Sequence, residues 1–312
     1  MIGRNNAMRK HRNMPLLALL LCAASVVFAA CSARPGQSAG EWAEPELSEA
    51  LETAVHEAVL VHNGGLYGGG FPTEAHVVLA LEETEGETAV WLQALYLELD
   101  WDGDRLMETG GSRTPTRLRF RGTELTEYWE PRGGANLEKE LQENLPPGIT
   151  PALAESSDFV QRLTQACYAQ GAEHFGIDTD ALCERLFREV LAAEGEELRE
   201  KIHSAEVTYR QLKYLGDYAV RWAMGRFLAD ETKIGYSSEE KLEKELLWQL
   251  LQVLAGGTTE KYEPGLYQAT GQHCWAAWFR DCERTEEEQG LAWMEENAPY
   301  EALALKLSRG LE

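Results

Sequence analysis

The fold is decided by AHVVLALEETEGETAVWLQALYLELDW at residues 75–101. Valine, leucine, tryptophan and tyrosine crowd both halves of this stretch, which is the composition of β-strands. Glu85-Gly86 lies between the halves and is short enough for a hairpin turn. The stretch therefore predicts two antiparallel strands, at residues 75–83 and 88–101.

The strand pattern continues after this hairpin, and a helical pattern precedes it. Leu47, Leu51, Val55, Ala58 and Val59 share one face of a helix predicted over residues 45–62. Further strands are predicted at residues 105–108, 116–121 and 124–130. The fold class predicted for residues 45–147 is α+β, with an N-terminal helix packed on an antiparallel β-meander.

Residues 148–312 are predicted to form an all-helical array. Ser237-x-x-Glu240 is a capping box, and it opens a helix that is predicted to end at Gly256-Gly257. Two more amphipathic stretches, at residues 214–228 and 274–282, carry tryptophan and phenylalanine at helical spacing. This pattern is typical of a buried core, and a binding groove is the alternative.

Residues 1–30 have the layout of a signal peptide. Basic residues precede an apolar run at residues 16–28, and no acidic residue occurs before Glu41. The run is roughly 13 residues long, whereas a helix needs about 20 to cross the hydrocarbon core. The segment is therefore predicted to direct export and to be removed.

The sequence Phe28-Ala29-Ala30-Cys31 resembles the bacterial lipobox, in which the thiol accepts a diacylglycerol. Cys31 is the predicted lipidation site, and residues 31–44 are the predicted flexible tether. The predicted location is extracytoplasmic, on the outer face of the cell membrane, held there by the lipid. Because Phe28 replaces the usual aliphatic residue, ordinary cleavage after Ala29 and a secreted product remain the alternative.

The mature chain is strongly acidic. The sequence has a formal net charge of −23, and removing the four basic residues of the leader brings the remainder to −27. Such a surface repels phosphate backbones and anionic headgroups, so no nucleic-acid partner is predicted and membrane contact is expected from the lipid alone. The acids lack the loop pattern of a calcium site, and no metal or cofactor is predicted.

Cysteines of the helical part allow one disulfide prediction. Cys167 and Cys183 lie symmetrically about the turn at residues 175–178, so a bridge across a helical hairpin is predicted. The alternative is two buried free thiols. Cys274 and Cys282 are about 12 Å apart along one predicted helix and are expected to be free.

The sequence contains no complete catalytic motif. His56-Glu57 opens like the zinc-protease pattern HExxH, but Leu60 occupies the place of the second histidine. His62 lies about 240° around the helix from His56, so the two cannot chelate one ion. No catalytic residue is predicted, and carboxylates are too numerous to single out a glycosidase-type pair.

Three arginines alternate with apolar residues along one predicted strand, at Arg117, Arg119 and Arg121. A period of two places their guanidinium groups on one face. The favoured interpretation is pairing with acids of the next strand, namely Glu124, Glu127 or Glu130. The alternative is an anion-binding site for a carboxylate or phosphate ligand.

Three segments carry a family resemblance: FPTEAHVVLALEE at 71–83, ALYLEL at 94–99 and YWEPRGG at 128–134. In residue pattern and spacing they resemble the extracytoplasmic region of clostridial β-lactam-responsive sensor-transducers, which are regulators with a membrane metallopeptidase. The similarity covers roughly residues 60–150. It implies an envelope protein of a Gram-positive bacterium with a sensing or partner-binding role. It carries over no catalytic residue, because the peptidase part has no counterpart here.

The expected function is a non-enzymatic, membrane-anchored module of the cell envelope that binds or senses a small ligand or an envelope protein. A hydrolase of envelope polymers, using carboxylates that the sequence does not identify, is the alternative. A purely structural envelope protein is the third possibility.

Overall fold

The computed structural model describes residues 42–64, 66–192, 207–230, 235–256, 259, 262 and 270–311. The predicted signal peptide, the lipidation site Cys31 and most of the predicted tether lie outside the described residues. A helix precedes a four-stranded antiparallel sheet, and further helices follow it, which confirms the α+β fold class. None of the helices within these ranges reaches the length and hydropathy that a bilayer-spanning segment requires.

The sheet is a meander with strand order β1-β2-β3-β4. Its strands are β1 (Phe71–Thr84), β2 (Glu87–Trp101), β3 (Leu106–Arg121) and β4 (Glu124–Trp129). Each strand pairs antiparallel with the next. The turns at Gly86 and Gly122 have φ angles of 83° and 63°, which glycine adopts without steric cost.

Strand β3 is continuous, so the prediction of separate strands at residues 105–108 and 116–121 is wrong. The intervening residues pair with β2 across one bulge. A Cβ atom at Gly110 would lie 2.5 Å from Cβ of Tyr67, so glycine is needed for this close packing. Pro115 is tolerated because β4 pairs only with the last residues of β3, which leaves the rest of the strand as an edge.

Helix α1 (Glu49–Asn63) covers one face of the sheet. It begins at Glu49 rather than at residue 45 because the Oγ of Ser48 accepts a hydrogen bond from the Leu51 amide at 3.4 Å and caps the helix. The predicted apolar face packs on inward-pointing side chains of the strands. The core on this face consists of Leu51, Val55, Ala58, Val59, Val78, Val90, Leu92, Ala94, Tyr96, Leu118 and Phe120.

The opposite face is covered mainly by the third helix after β4. These helices are α2 (Leu137–Asn144), α3 (Pro151–Ala154) and α4 (Ser157–His174). Gln170 of α4 bonds the β1 backbone: its Nε2 donates to the Glu74 carbonyl at 2.6 Å and its Oε1 accepts from the Glu74 amide at 3.2 Å. The domain boundary at residue 147 stays a prediction, although α4 beyond it shares a core with the sheet.

The first described residues fasten the chain to this second face, through contacts that we call the amino-terminal clasp. The indole Nε1 of Trp42 donates to the Leu79 carbonyl at 2.8 Å. The Glu44 carboxylate accepts from the Val78 amide at 2.9 Å and pairs with Arg162 at 2.5 Å. The clasp therefore attaches the amino-terminal chain to the β1 edge and to α4.

The remaining helices form the helical array: α5 (Thr179–Leu191), α6 (Val207–Tyr214), α7 (Asp217–Ala229), α8 (Ser238–Ala255), α9 (Gly271–Gln289), α10 (Leu291–Asn297) and α11 (Pro299–Ser308). Both hydrogen bonds of the predicted capping box at Ser237 and Glu240 are present. The tryptophan and phenylalanine residues of α7 and α9 are buried, and Phe227 stacks on Trp275 with ring centroids 5.1 Å apart, which confirms the core interpretation.

The predicted bridge between Cys167 and Cys183 is not formed in this structure, and both are buried free thiols. The two helices direct them into different cores, Cys167 beneath the sheet and Cys183 inside the helical array. Burial raises the pKa of each thiol to about 12, so both are protonated at neutral pH. Cys274 and Cys282 are buried thiols that form no disulfide with a described cysteine.

Candidate functional site

Helix α1 divides its face of the sheet into two flanks. Glu52 and His56, one helical turn apart, contact strand β1. Ala50, Ala54 and Glu57 follow another stripe of the helix and lie near the β3–β4 turn. The first flank is polar and buried at its strand side, and the second is an open groove.

The flank facing β1 holds the histidine–glutamate cluster: Glu52 and His56 from α1, and Glu74 and His76 from β1. Glu74 is its centre, with one carboxylate oxygen 2.7 Å from Nδ1 of His56 and the other 2.8 Å from Nδ1 of His76. Nε2 of His76 lies 3.2 Å from the Glu52 carboxylate. Spacings of four along the helix and two along the strand place each pair on one face of its element.

The centre of this cluster is both buried and charged. The side chains of Glu74 and His76 are 1% and 5% exposed, whereas that of His56 is 41% exposed. Burial opposes the charge on His76, but Glu74 and Glu52 raise its pKa to about 10. Burial also opposes the charge on Glu74, yet the two histidines hold its pKa below the usual range. At neutral pH, an imidazolium therefore lies between two carboxylates.

His56 is the histidine of the cluster that reaches solvent. A buried carboxylate on Nδ1 orients its ring, as in acid–base dyads. Within the described ranges, however, no hydroxyl or thiol is hydrogen-bonded to His56. Nor do the described histidines, cysteines and acids form a group of three that could hold a metal ion. The cluster fastens α1 to β1 through charge-assisted hydrogen bonds.

The carboxyl end of α1 is fastened to β3 and to the region of β4. His62 stacks on Tyr128 with ring centroids 3.7 Å apart, and its Nε2 lies 3.5 Å from Glu130. Asn63 accepts a hydrogen bond from the Ser112 hydroxyl at 2.8 Å. Together with the histidine–glutamate cluster, these contacts fix α1 at both ends of its buried face.

The glycine-rich loop that follows α1 is bound by a buried carboxylate. Glu98 accepts hydrogen bonds from the amides of Gly69 at 2.9 Å and Gly70 at 3.3 Å, and from the Tyr96 hydroxyl at 2.9 Å. The Gly69 amide is the main cause that holds the pKa of Glu98 below its usual range. The amides of Gly69 and Gly70 therefore already bind an anionic group of this chain, the Glu98 carboxylate.

Arg117, Arg119 and Arg121 of β3 are each paired with a carboxylate. Glu127 lies 2.7 Å from Arg117 and 3.0 Å from Arg119, which is the cross-strand pairing that the sequence favours. Arg121 pairs instead with Glu87 at 3.0 Å, because β2 lies on its other side. Since each guanidinium has a carboxylate partner, the structure favours the structural interpretation over an anion site.

The second flank of α1 forms what we call the α1–β4 groove. It is lined by Glu49, Ala50, Thr53, Ala54, Glu57 and Thr123, and its volume is about 390 Å³. Strand β4 is the edge of the sheet beside this groove. None of the six residues of β4 is buried, and the side chain of Leu125 is 40% exposed.

Sequence reasoning missed Glu74, His76 and Glu98. The available signal was a charged or polar side chain within an otherwise apolar strand, because burial of such a group is costly unless it has a partner. The sequence does not identify the partners of these side chains, because Glu74 and His56 lie 18 residues apart on different elements. His56 and the adjacent Glu57, which open the incomplete HExxH pattern, point to different flanks of α1.

Comparisons with protein-family models, with curated proteins and with solved structures found no match for this chain. The class of protein is defined by the geometry alone: an α+β protein whose sheet is covered by helices on both faces and has β4 as an edge strand. Its function is argued from that geometry and from the sequence.

Proposed function

We propose that this chain is an extracytoplasmic lipoprotein of the cell envelope, anchored through Cys31, whose folded part is a non-enzymatic module that binds or senses a ligand or partner. The observation that carries the proposal is the export pattern that ends at Cys31, eleven residues before Trp42. Residues between the two can span at most roughly 40 Å, so the folded part would remain close to the membrane.

The arrangement of charged side chains supports binding over group transfer. Glu52 and Glu74 both bind His76, and Glu98 binds backbone amides, so these acids stabilise the fold. In the part of the chain that the structure describes, the α1–β4 groove with its edge strand is an open surface. Open strand edges and grooves beside helices are common places for partner recognition.

Labelling with radioactive palmitate in cells tests the anchor. Wild type and a Cys22→Ala control should incorporate the label equally, because Cys22 lies in the predicted leader. Cys31→Ala should incorporate none. External protease added to protoplasts should digest the wild-type protein. Equal labelling of all three proteins, or complete protection from protease, would overturn the proposed location.

A second assay separates binding from hydrolysis. Purified full-length protein incubated with cell-wall polymers should release no soluble fragments. Release that is lost in His56→Ala would replace the binding role with the hydrolase alternative, because His56 is the exposed member of the cluster.

A further inference from the structure

We infer that the α1–β4 groove binds an extended, basic peptide segment of a partner protein, which adds to β4 as a fifth strand. This inference rests on the proposed binding role and deepens it by naming the surface and the chemistry of the partner. It commits to a peptide in which apolar and basic side chains alternate.

The strand edge supplies the backbone contacts. Among the described strands, β4 pairs only with β3, so its other side presents amide and carbonyl groups that no described strand binds. The strand sequence Glu-Leu-Thr-Glu-Tyr-Trp contains neither proline nor lysine, two residues that commonly protect an edge from pairing, and its ladder with β3 is interrupted by one bulge, between Leu125 and Glu127. Six residues of strand span about 20 Å, enough to pair with a peptide of similar length.

The helix supplies one wall for side chains. Ala50 and Ala54 are small, so the space between α1 and Thr123 stays open. Leu125 on the strand and Val61 further along α1 are 40% and 80% exposed, which provides apolar surface beside the groove. Alternate side chains of an added strand point to one face, and those on the α1 side would enter this space.

Charge selects a basic partner. Glu49 and Glu57 line the groove and Glu124 begins the strand, and all three are exposed. Within the described part of the chain, none of these carboxylates forms an ion pair. Among the nearby guanidiniums, that of Arg121, opposite Glu124 in the strand pair, is bound to Glu87, and those of Arg117 and Arg119 are bound to Glu127. The groove therefore has a negative potential that attracts lysine or arginine.

The test uses the full chain purified in detergent and a fluorescent peptide of about eight residues in which lysine alternates with valine. Fluorescence anisotropy at low ionic strength should show saturable binding to wild type. Glu57→Lys should weaken binding roughly fivefold or more, because it replaces an attraction by a repulsion. Thr53→Trp should weaken it roughly tenfold by filling the groove.

Two controls decide whether the site is the groove. Glu287→Lys makes the same charge change on an exposed position of α9 and should alter affinity by less than about twofold. A peptide with every second amide N-methylated keeps its charge but loses strand donors, so it should not bind. Equal weakening by Glu57→Lys and Glu287→Lys, or tight binding of the methylated peptide, would overturn the inference.

The outcomes also separate this inference from the proposed function. If wild type fails to bind the peptide while Cys31 is lipidated, the groove assignment is wrong and the anchored module stands. If Thr53→Trp fails to fold, as judged by circular dichroism, Glu57→Lys decides alone, since the exposed Glu57 side chain has no partner among the described residues.

Discussion

Replacing Glu74 by glutamine should lower the free energy of unfolding by about 3 kcal/mol at pH 7. The substitution keeps the size of the side chain but removes the charge that faces His56 and His76. His76 is then left in a buried position with Glu52 as its remaining carboxylate, which is itself more than half exposed.

The magnitude follows from the pKa of His76, which the cluster raises from 6.5 to about 10. Each pKa unit corresponds to about 1.4 kcal/mol, so the site as a whole, with the burial penalty included, favours the charged ring by about 5 kcal/mol. In Glu74→Gln, Glu52 still supplies part of this free energy, and another part is recovered when His76 releases its proton. About 3 kcal/mol remains, the lower end of the range for breaking a buried ion pair.

Chemical denaturation followed by circular dichroism measures this loss, with Glu83→Gln as the matched control. Glu83 lies on the same strand but is exposed, so its substitution should change stability by less than about 0.5 kcal/mol. A loss below about 1 kcal/mol for Glu74→Gln, or equal losses for the two variants, would refute the assignment of an imidazolium held between two carboxylates.

Three further predictions follow from the fold. The stability that His76 contributes is fully present below pH 6.5 and is lost as the pH rises through about 10. The stability that Glu74 contributes is present above pH 4.5 and is lost as the pH falls below that value. Denaturant titrations at a series of pH values should therefore show the highest free energy of unfolding between pH 4.5 and pH 6.5. Gly271→Ala should destabilise the helical array by about 3 kcal/mol or more in thermal unfolding, because its Cβ atom would lie 1.7 Å from the Lys244 carbonyl oxygen. Glu127→Gln should cost less than about 1 kcal/mol by chemical denaturation, because this carboxylate is 40% exposed to solvent that screens its ion pairs.

The parts of the fold that the sequence predicts are those determined by local chemistry. The hairpins depend on Gly86 and Gly122, whose positive φ angles suit glycine, and the start of α8 depends on the reciprocal bonds of Ser237. Such signals involve neighbours along the chain. Hydrophobic periodicity likewise identified the buried face of α1.

The parts that the sequence does not predict depend on distant contacts. Gly110 and Pro115 suggest a break, and β3 continues through them only because Tyr67 packs on one and no strand covers the other. Cys167 and Cys183 are symmetric about a turn, but tertiary packing sends them into separate cores. Because tertiary packing also brings Glu52 and Glu74 to His76, the sequence does not distinguish these two acids from the others.

The position of the amino-terminal clasp has a mechanical consequence for an anchored protein. A pull on the membrane side of Trp42 would act first on the outer edge of β1 and on α4. Strand β4 forms the opposite border of the sheet, separated from β1 by two hydrogen-bonded strands. Tension from the bilayer would thus act on the sheet at β1 and leave β4 undistorted. A partner bound at β4 could then be retained while the anchor is under tension.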